Sequence, residues 1–412
     1  MQRCWKGSWV SSFLQLAFLL TLILVAAKAS GYLATKLGQP SVLGELIVGL
    51  LLGPSLVNIG HLPFITAAHV SETIYELGEL GVLLLMFIAG LELHLSDLAK
   101  NTRVAAYSGV LGVIVPVGLG FLAGELFGMS LENSVFLGLT LGATSVSISA
   151  QTLMELKVLR SRVGLGLLGA AVFDDILVIL LLSSFVALAD GGSTLQILLV
   201  LAKMVGFLAL SALFGLWALP RLTVAVSKLA ISQNVLTLAL IIMLTYGLAA
   251  ELLGGMAAIT GTFVAGLMFS RTPEKTQIEG GLRALSYAFF VPIFFVNIGL
   301  SIDLRQVSLA ALWLMLAITL LAVIGKILGS GLGARLGKFS WLESLQLGIG
   351  MVSRGEVGLI VASIGLAAGH LTDDAFSAVV GMILITTLIT PPLLRATFKV
   401  AAEKPAELVA TE

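Results

Sequence analysis

The sequence has little charge and almost no cysteine. Asp, Glu, Lys and Arg make up only 11% of its 412 residues, and 23 basic residues balance 23 acidic ones. The single Cys4 excludes an internal disulfide, and the four histidines, near the ends of apolar runs, lack the spacing of metal ligands. No basic run of the kind that grips phosphates occurs, so nothing favours nucleic acid as a partner.

What the chain does have is apolar sequence. Hydrophobic residues make up 58% of it, and the mean hydropathy is +1.08, which is outside the range of soluble domains. Runs of about 17 to 25 apolar residues recur thirteen times with no polar block between them. The sequence therefore predicts an all-α polytopic membrane protein with thirteen spans. It predicts one membrane domain over residues 1–412 and no soluble regulatory domain.

The distribution of basic residues predicts the orientation. Sixteen of the 23 follow odd-numbered spans, three lie on the opposite side, and four lie within spans. Loops rich in Lys and Arg stay in the cytoplasm, so the protein is predicted in the cell (inner or plasma) membrane with its N-terminus outside and its C-terminus in the cytoplasm. The first apolar run is too long for a signal peptide and lacks a cleavage site, so it is predicted to be the first span.

Three segment pairs recur in the same order along the chain, at offsets of 217, 209 and 210 residues. Each offset corresponds to seven spans, and an odd shift turns the second copy upside down, as in the inverted repeats of transporters. The predicted arrangement is 6+1+6, with repeat one at about 9–190, a linker helix at about 194–222 and repeat two at about 232–398. The pairs are Gly44 and Gly49 with Gly261 and Gly266, Ala89–Leu95 with Ile298–Leu304, and Leu137–Ser145 with Leu347–Gly355.

Spans five and twelve have the composition of discontinuous helices. Span five places Gly138 and Gly142 before a cluster of hydroxyl residues that begins at Thr144 and Ser145, and span twelve places Arg354 and Glu356 among glycines. Unwound backbone at membrane depth is tolerated where it lines a cavity, and its carbonyls can then bind ions. The alternative is ordinary packing of small residues, which leaves the charged residues of span twelve unexplained.

Two adjacent carboxylates lie in the middle of span six. No other charge occurs from Val163 to Ala189 around Asp174 and Asp175. A carboxylate inside a membrane costs at least ~2.5 to 3.5 kcal/mol, so the pair is a candidate functional site. A helix N-cap is the alternative, and it requires a broken helix. Adjacent helical residues point about 100° apart, so the two aspartates cannot face the same partner.

Other charges within the spans can complete this site. Lys326 lies about 13 Å from the nearest charged helix end, so it can either pair with one of the aspartates or snorkel to the interface. Arg354 and Glu356 form a second candidate set. Glu45 can be interfacial or functional, and the sequence does not decide between these roles.

These residues resemble those of bacterial sodium/proton antiporters of the cation:proton antiporter-2 (monovalent cation:proton antiporter) family, and the resemblance covers nearly the whole chain. Within this family, the chain resembles the electrogenic type that has Asp-Asp at this position. Related potassium/proton and glutathione-gated systems usually have Gln-Asp there and carry a cytosolic nucleotide-binding domain. The matching motifs are Pro40-Ser41-Val42-Leu43-Gly44-Glu45, Gly53-Pro54-Ser55, Phe87-Ile88-Ala89-Gly90-Leu91-Glu92, Thr144-Ser145, Gly169-Ala170-Ala171 before Asp174-Asp175, Gly325-Lys326 and Arg354-Gly355-Glu356.

The resemblance implies roles for these residues. The second aspartate, Asp175, is the implied carrier of Na⁺ (or Li⁺) and H⁺, while Asp174 pairs with Lys326. Thr144 and Ser145 in the crossing of spans five and twelve are further candidate ion ligands, and Arg354 and Glu356 are candidate compensating charges. The family also implies a homodimer with an elevator-like core, and a transporter rather than an enzyme, without a cofactor.

Competition for one site is enough to couple two flows. A carboxylate in a partly desolvated cavity binds either a proton or a Na⁺, and alternating access then exchanges one for the other. An intramembrane aspartyl protease needs its two aspartates on separate helices, and a channel needs symmetric rings of ligands, so neither fits. A K⁺/H⁺ antiporter or a K⁺ efflux system of the same fold remains the alternative.

Overall fold

The computed structural model describes residues 11–63, 65, 69–94, 96, 100–189, 194–300, 305, 309–367 and 369–409. All the regular secondary structure in these residues is helical. The α-helices are α1 Ser12–Lys36, α2 Ser41–Leu52, α3 His69–Glu92, α4 Thr102–Leu126, α5 Leu131–Gly142, α6 Val146–Glu155, α7 Arg162–Ala189, α8 Thr194–Trp217, α9 Leu219–Ser227, α10 Asn234–Leu252, α11 Ala258–Phe269, α12 Lys275–Leu285, α13 Val291–Leu300, α14 Leu309–Leu336, α15 Trp341–Gly350, α16 Glu356–Ala367 and α17 Asp373–Val409.

The helices have the length and composition of membrane spans. Within the described ranges, ten segments are long and apolar enough to cross a bilayer, and three shorter apolar helices accompany them. The shorter helices are α2, α11 and the part of α16 from Val357 to Leu366. The predicted all-helical polytopic membrane fold is therefore confirmed. The linker predicted at about 194–222 is in two pieces, α8 and α9, and Pro220 lies in the first turn of α9.

Two of the membrane segments are interrupted near their middle, as the glycine and hydroxyl pattern predicts. The first stops at Gly142 and restarts at Val146, and the second stops at Gly350 and restarts at Glu356. Both first halves begin on a serine cap, with Ser340 forming a reciprocal capping box with Glu343. Each first half is thus a separately capped element whose carbonyl end lies inside the membrane segment.

The chain divides into two compact units. The first comprises residues 1–82 and 285–306, and the second comprises 83–284 and 307–412. The core of the first unit includes Leu19, Ile23, Ile74 and Ile293. The main core of the second is formed by apolar residues of α5, α14, α16 and α17, among them Phe136, Ile318, Val361 and Met382.

The second half of the chain repeats contacts of the first half. In the second unit, a side chain at Gly138 would collide with the backbone of Val117, and one at Gly348 would collide with that of Ile327. Each residue of the second contact follows its counterpart in the first by 210 positions. Each bare glycine lets two backbones meet, which is a common way to pack membrane helices.

The same recurrence links glycines at the ends of spans three and ten. Gly90 of the second unit lies against the backbone of Leu267, and Gly299 of the first unit lies against that of Leu50. The two glycines are 209 residues apart and their two partners are 217 apart, which are the offsets of the matched segments.

Helices α4 and α14 pack along a glycine seam. Gly325, Gly329 and Gly333 of α14 and Gly337 just after it recur every fourth residue, and a side chain at any of them would press against α4. Small residues at this spacing allow close approach of two membrane helices. The seam fixes the rotation of α14 and so determines where Lys326, next to its first glycine, is directed.

Candidate functional site

Asp174 and Lys326 form a buried ion pair. Asp174 lies in α7, twelve residues or about 18 Å from the start of the helix. Lys326 Nζ donates a hydrogen bond of 2.5 Å to Asp174 Oδ1, and both side chains are completely buried. Lys326 therefore does not snorkel to the interface. The N-cap alternative for the aspartates is also excluded, because α7 runs unbroken through them.

The second oxygen of Asp174 has unused hydrogen-bonding capacity. Neither Asp174 Oδ2 nor Thr144 Oγ1 has a hydrogen-bond partner among the described residues. The Thr144 hydroxyl nevertheless lies beside this carboxylate. Buried polar atoms are nearly always satisfied, so this carboxylate oxygen suits the neighbouring Thr144 hydroxyl, a cation or a water molecule as its partner.

Asp175 faces a different environment from its neighbour. Thr260 Oγ1 of α11 donates a hydrogen bond of 2.8 Å to Asp175 Oδ2. The carboxylate and the threonine line a cavity of about 10 Å³, whose other walls include Val146, Ala171 and Phe263. A cavity of this size holds about one water molecule. The two aspartates thus have separate partners, as their angular separation predicts.

Thr260 is the functional candidate that the sequence does not reveal. It lies in α11, an apolar helix in which Thr262 donates to the carbonyl of Ile259. A threonine in a helix usually makes such a local bond and carries no signal of function. Only the packing of α11 against α7 distinguishes the two threonines.

Arg354 lies between the carbonyl ends of the two interrupted helices. Its Nη1 donates to the carbonyls of Met351 (3.1 Å) and Val352 (2.6 Å), just beyond α15. Its Nη2 donates to Leu141 of α5 (2.8 Å) and Ala322 of α14 (3.3 Å). Helix carbonyl ends carry partial negative charge, and a completely buried guanidinium neutralises two of them here. All four of these hydrogen bonds from Arg354 go to backbone carbonyls.

A group of serines joins the two interruptions. The Ser145 amide donates to the Ser353 carbonyl at 2.9 Å, and the Ser353 hydroxyl donates back to the Ser145 carbonyl at 2.6 Å. Ser149 Oγ donates to the Gly350 carbonyl at 2.5 Å. These bonds satisfy backbone at the two breaks, and they cross-link the two interrupted helices at one point.

The predicted ion ligands do not all meet. Thr144 lies beside Asp174, whereas the Ser145 hydroxyl is 3.0 Å from that of Ser147, within the crossing. Neither residue is among those that line the Asp175 cavity. The side chain of Glu356 is outside the described part of the structure. Glu45 belongs to the first unit and is only 6% exposed.

Asp175 can bind a proton or a small cation while the Asp174–Lys326 pair stays intact. A second mode of binding breaks that pair. Carboxylate and hydroxyl oxygens are the ligands that hard cations prefer. The apolar walls exclude the bulk water that would otherwise compete for the ion. The chemistry on offer is therefore reversible binding of monovalent cations and protons.

Comparison with known proteins gives a consistent result. The family model described as "Sodium/hydrogen exchanger, transmembrane" matches residues 19–400. The Na⁺/H⁺-K⁺ antiporter GerN of Bacillus cereus is 42% identical over 381 residues, which is 92% of this chain and 96% of GerN. A Na⁺/H⁺ antiporter of Enterococcus hirae is 36% identical over 92% of this chain and 96% of its own.

A solved structure has the same fold. The sodium proton antiporter MjNhaP1 of Methanocaldococcus jannaschii superimposes with a TM-score of 0.67 over 94% of this chain and 97% of its own. Its sequence identity to this chain is 19%, so the likeness concerns the fold alone.

Proposed function

The chain belongs to the sodium/hydrogen exchanger family, and we propose that it exchanges Na⁺ or Li⁺ for H⁺ across a cell membrane by alternating access. The observation that carries this proposal is the buried constellation in which Asp175 lines a small cavity while Asp174 is paired with Lys326. An ionisable group at this depth is costly, so its presence indicates a function, and here three such groups occur together.

The proposed cycle depends on competition at Asp175. With a proton bound, the carboxylate is neutral, and with Na⁺ bound its charge is neutralised by the cation. Either form can cross between the two access states, whereas the empty charged form is costly to move through an apolar surrounding. Exchange then follows without any direct contact between Na⁺ and the proton.

Asp174 contributes a second exchangeable group. In this cycle Lys326 separates from Asp174 when Na⁺ enters the site. The buried hydroxyl of Ser330 lies near Lys326. Both Ser330 Oγ and Lys326 Nζ are within 4 Å of one point, the position that a Cβ atom on Gly112 would occupy. The Ser330 hydroxyl has no hydrogen-bond partner among the described residues. We therefore assign Ser330 as an acceptor for the displaced amine.

The direct test is ion exchange by the purified protein in proteoliposomes. An imposed pH gradient is monitored with a pH-sensitive dye while Na⁺, Li⁺ or K⁺ is added in turn. Dequenching with Na⁺ and Li⁺ but little with K⁺ is expected. Because the relative GerN is named for K⁺ as well as Na⁺, equal or stronger dequenching with K⁺ would favour the K⁺/H⁺ alternative. No response to any cation would refute the proposed function.

The exchange is proposed to be electrogenic, with two protons for each Na⁺. One proton comes from Asp175 and the other from the Asp174–Lys326 pair, which titrates as a unit. One net charge then crosses per cycle, and a potential of 100 mV contributes ~2.3 kcal/mol to Na⁺ expulsion. Lys326→Gln is expected to abolish the Na⁺-driven current on a solid-supported membrane.

The single variant leaves Asp174 buried without its partner, which costs about 3 to 5 kcal/mol and threatens folding. The double variant Asp174→Asn with Lys326→Gln removes both charges and serves as the control. It retains Asp175, so it should fold and exchange one proton for each Na⁺ with no net current. Exchange without current in the wild type would show that the pair is structural.

The proposed topology has thirteen spans in a 6+1+6 inverted repeat, with the N-terminus outside. The recurrent glycine contacts and the basic residues after odd-numbered spans support it. In a variant lacking Cys4, single cysteines at Ser232 and Glu251, exposed at opposite ends of α10, test the orientation. A membrane-impermeant thiol reagent should label position 251 from outside and position 232 only after permeabilisation. The reverse pattern would overturn the orientation.

A homodimer is proposed as the working form on family grounds. Light scattering of the detergent-solubilised protein, corrected for bound detergent, distinguishes a mass near 43.0 kDa from twice that value. A monomer that retains full exchange would remove the dimer from the proposal.

A further inference from the structure

A groove between α8 and α10 lies outside the candidate site. Its volume is about 400 Å³, within the range of roughly 300 to 1,000 Å³ typical of small-molecule sites. Phe207 and Tyr246 form its buried floor, while Leu210 and Leu253 are exposed at its rim. The groove belongs wholly to the second unit and lies on a side of α8 whose apolar side chains are exposed.

The groove is lined by one cation and three hydroxyl side chains, two of which already donate to backbone carbonyls. The Tyr246 hydroxyl donates to the Ser211 carbonyl at 2.8 Å, and the Thr245 hydroxyl donates to the Ile241 carbonyl at 2.7 Å. Lys203 is exposed and makes no hydrogen bond or ion pair with the residues that the structure describes. It is also the only charged residue between Asp190 and Arg221.

The position of Lys203 is costly without a ligand. It lies six residues, or about 9 Å, inside the apolar span Ile197–Trp217. Helical side chains lean toward the start of their helix, so its ammonium points back toward the nearer membrane interface. Lys203 has no role in the proposed exchange cycle.

The dimensions of the groove fit one lipid chain. The lining residues of α8 run from Lys203 to Phe214, eleven residues or about 16 Å. This is about half of a ~30 Å hydrocarbon core, the depth of one leaflet. The cation lies at the end nearer the interface, and the remaining length is apolar.

We propose that this groove binds an anionic phospholipid, with one acyl chain along α8 and α10 and the phosphate on Lys203. Basic pockets between membrane helices recognise acidic head groups in this way. The site is independent of the proposed exchange, because it shares no residue with the aspartate constellation.

The test is lipid binding to the detergent-solubilised full chain by native mass spectrometry, with phosphatidylglycerol and phosphatidylcholine as probes. Wild type should retain phosphatidylglycerol in preference to phosphatidylcholine. Lys203→Gln should weaken phosphatidylglycerol binding about tenfold, the size of one hydrogen bond to a charged group. Lys203→Arg, which keeps the charge, should bind like wild type.

A second pair of variants tests the apolar part. A side chain at Gly206 would meet no atom within 4 Å and would project into the groove, so Gly206→Leu should displace the acyl chain and abolish binding of both lipids. Gly118 of α4 is equally unobstructed but lies elsewhere, so Gly118→Leu is the matched control and should bind like wild type.

Three results would overturn the proposal. Equal binding of the two lipids by wild type, or unchanged phosphatidylglycerol binding by Lys203→Gln, would show that Lys203 does not read the head group. Efficient disulfide cross-linking through Leu210→Cys, in a variant lacking Cys4, would show that a second copy of the chain covers the groove. Binding is measured without transport, so a failure here is distinct from a failure of the proposed exchange.

Discussion

Asp175→Asn is expected to reduce exchange to the background of protein-free liposomes while leaving the protein folded. The amide has nearly the shape of the carboxylate, and its oxygen can still accept the hydrogen bond from Thr260. It can neither release a proton nor neutralise a bound Na⁺. Because the change removes a buried charge, it should not lower the melting temperature. Dye dequenching with Na⁺ and Li⁺ measures activity, and thermal unfolding in detergent measures stability.

Two further variants show whether the carboxylate itself is required. Glu251→Gln removes an exposed carboxylate at the end of α10 and should exchange like wild type. Thr260→Val keeps Asp175 but removes its hydrogen bond, and it should weaken apparent Na⁺ affinity about fivefold without abolishing exchange, since such bonds contribute about 1 kcal/mol. Wild-type exchange by a well-folded Asp175→Asn protein would disprove the assignment of Asp175 as the carrier.

Scarcity of charge is what makes the ion pair predictable from sequence. Asp174 and Lys326 each lie in a long apolar run, and a buried charge in a membrane must have a partner. With few candidates, Lys326 either pairs with one of the two aspartates or snorkels. The family resemblance selects Asp174, and the structure has this pair at 2.5 Å. The interruptions of spans five and twelve are predictable for a related reason. Glycine and hydroxyl residues at mid-membrane weaken a helix and also satisfy the backbone that the break exposes.

What the sequence could not supply is the choice among many equivalent polar residues. The chain has many threonines, and a helical threonine is satisfied by its own backbone, so nothing separates Thr260 from Thr262 before α11 is packed against α7. The same ambiguity affects Ser145. It was predicted as an ion ligand, and its functional role stays a prediction, but its bonds lie within the crossing.

Arg354 shows a second limit of sequence analysis. A buried arginine suggests a carboxylate partner, because opposite charges are the obvious compensation. Its hydrogen bonds instead go to four carbonyls drawn from α5, α14 and the end of α15. Carbonyl groups are present at every residue, so the sequence carries no mark of those left without donors. The partner becomes visible only when two half-helices end at the same place.

This arrangement makes Arg354 the residue whose loss should cost the most stability. Arg354→Gln leaves the buried carbonyls of Leu141, Met351 and Val352 short of a donor, each at a cost of about 1 to 3 kcal/mol, and it removes the positive charge between two helix ends. A single amide with two N–H groups cannot span them. We expect a fall of at least about 5 kcal/mol in the free energy of unfolding, seen as little folded protein after solubilisation.

Arg354→Lys provides a second test of this role, which is needed if Arg354→Gln does not fold. Lysine restores the charge but not the planar fork that reaches both half-helices, so its melting temperature should lie between those of wild type and Arg354→Gln. Arg335→Gln is the matched control, because Arg335 also donates to a backbone carbonyl, that of Phe339, but at the exposed end of α14. Its loss should cost less than about 1 kcal/mol. If all three variants melt like wild type, the two half-helix ends are held by the serine bonds alone, and the guanidinium must instead act on the charge of the ion site.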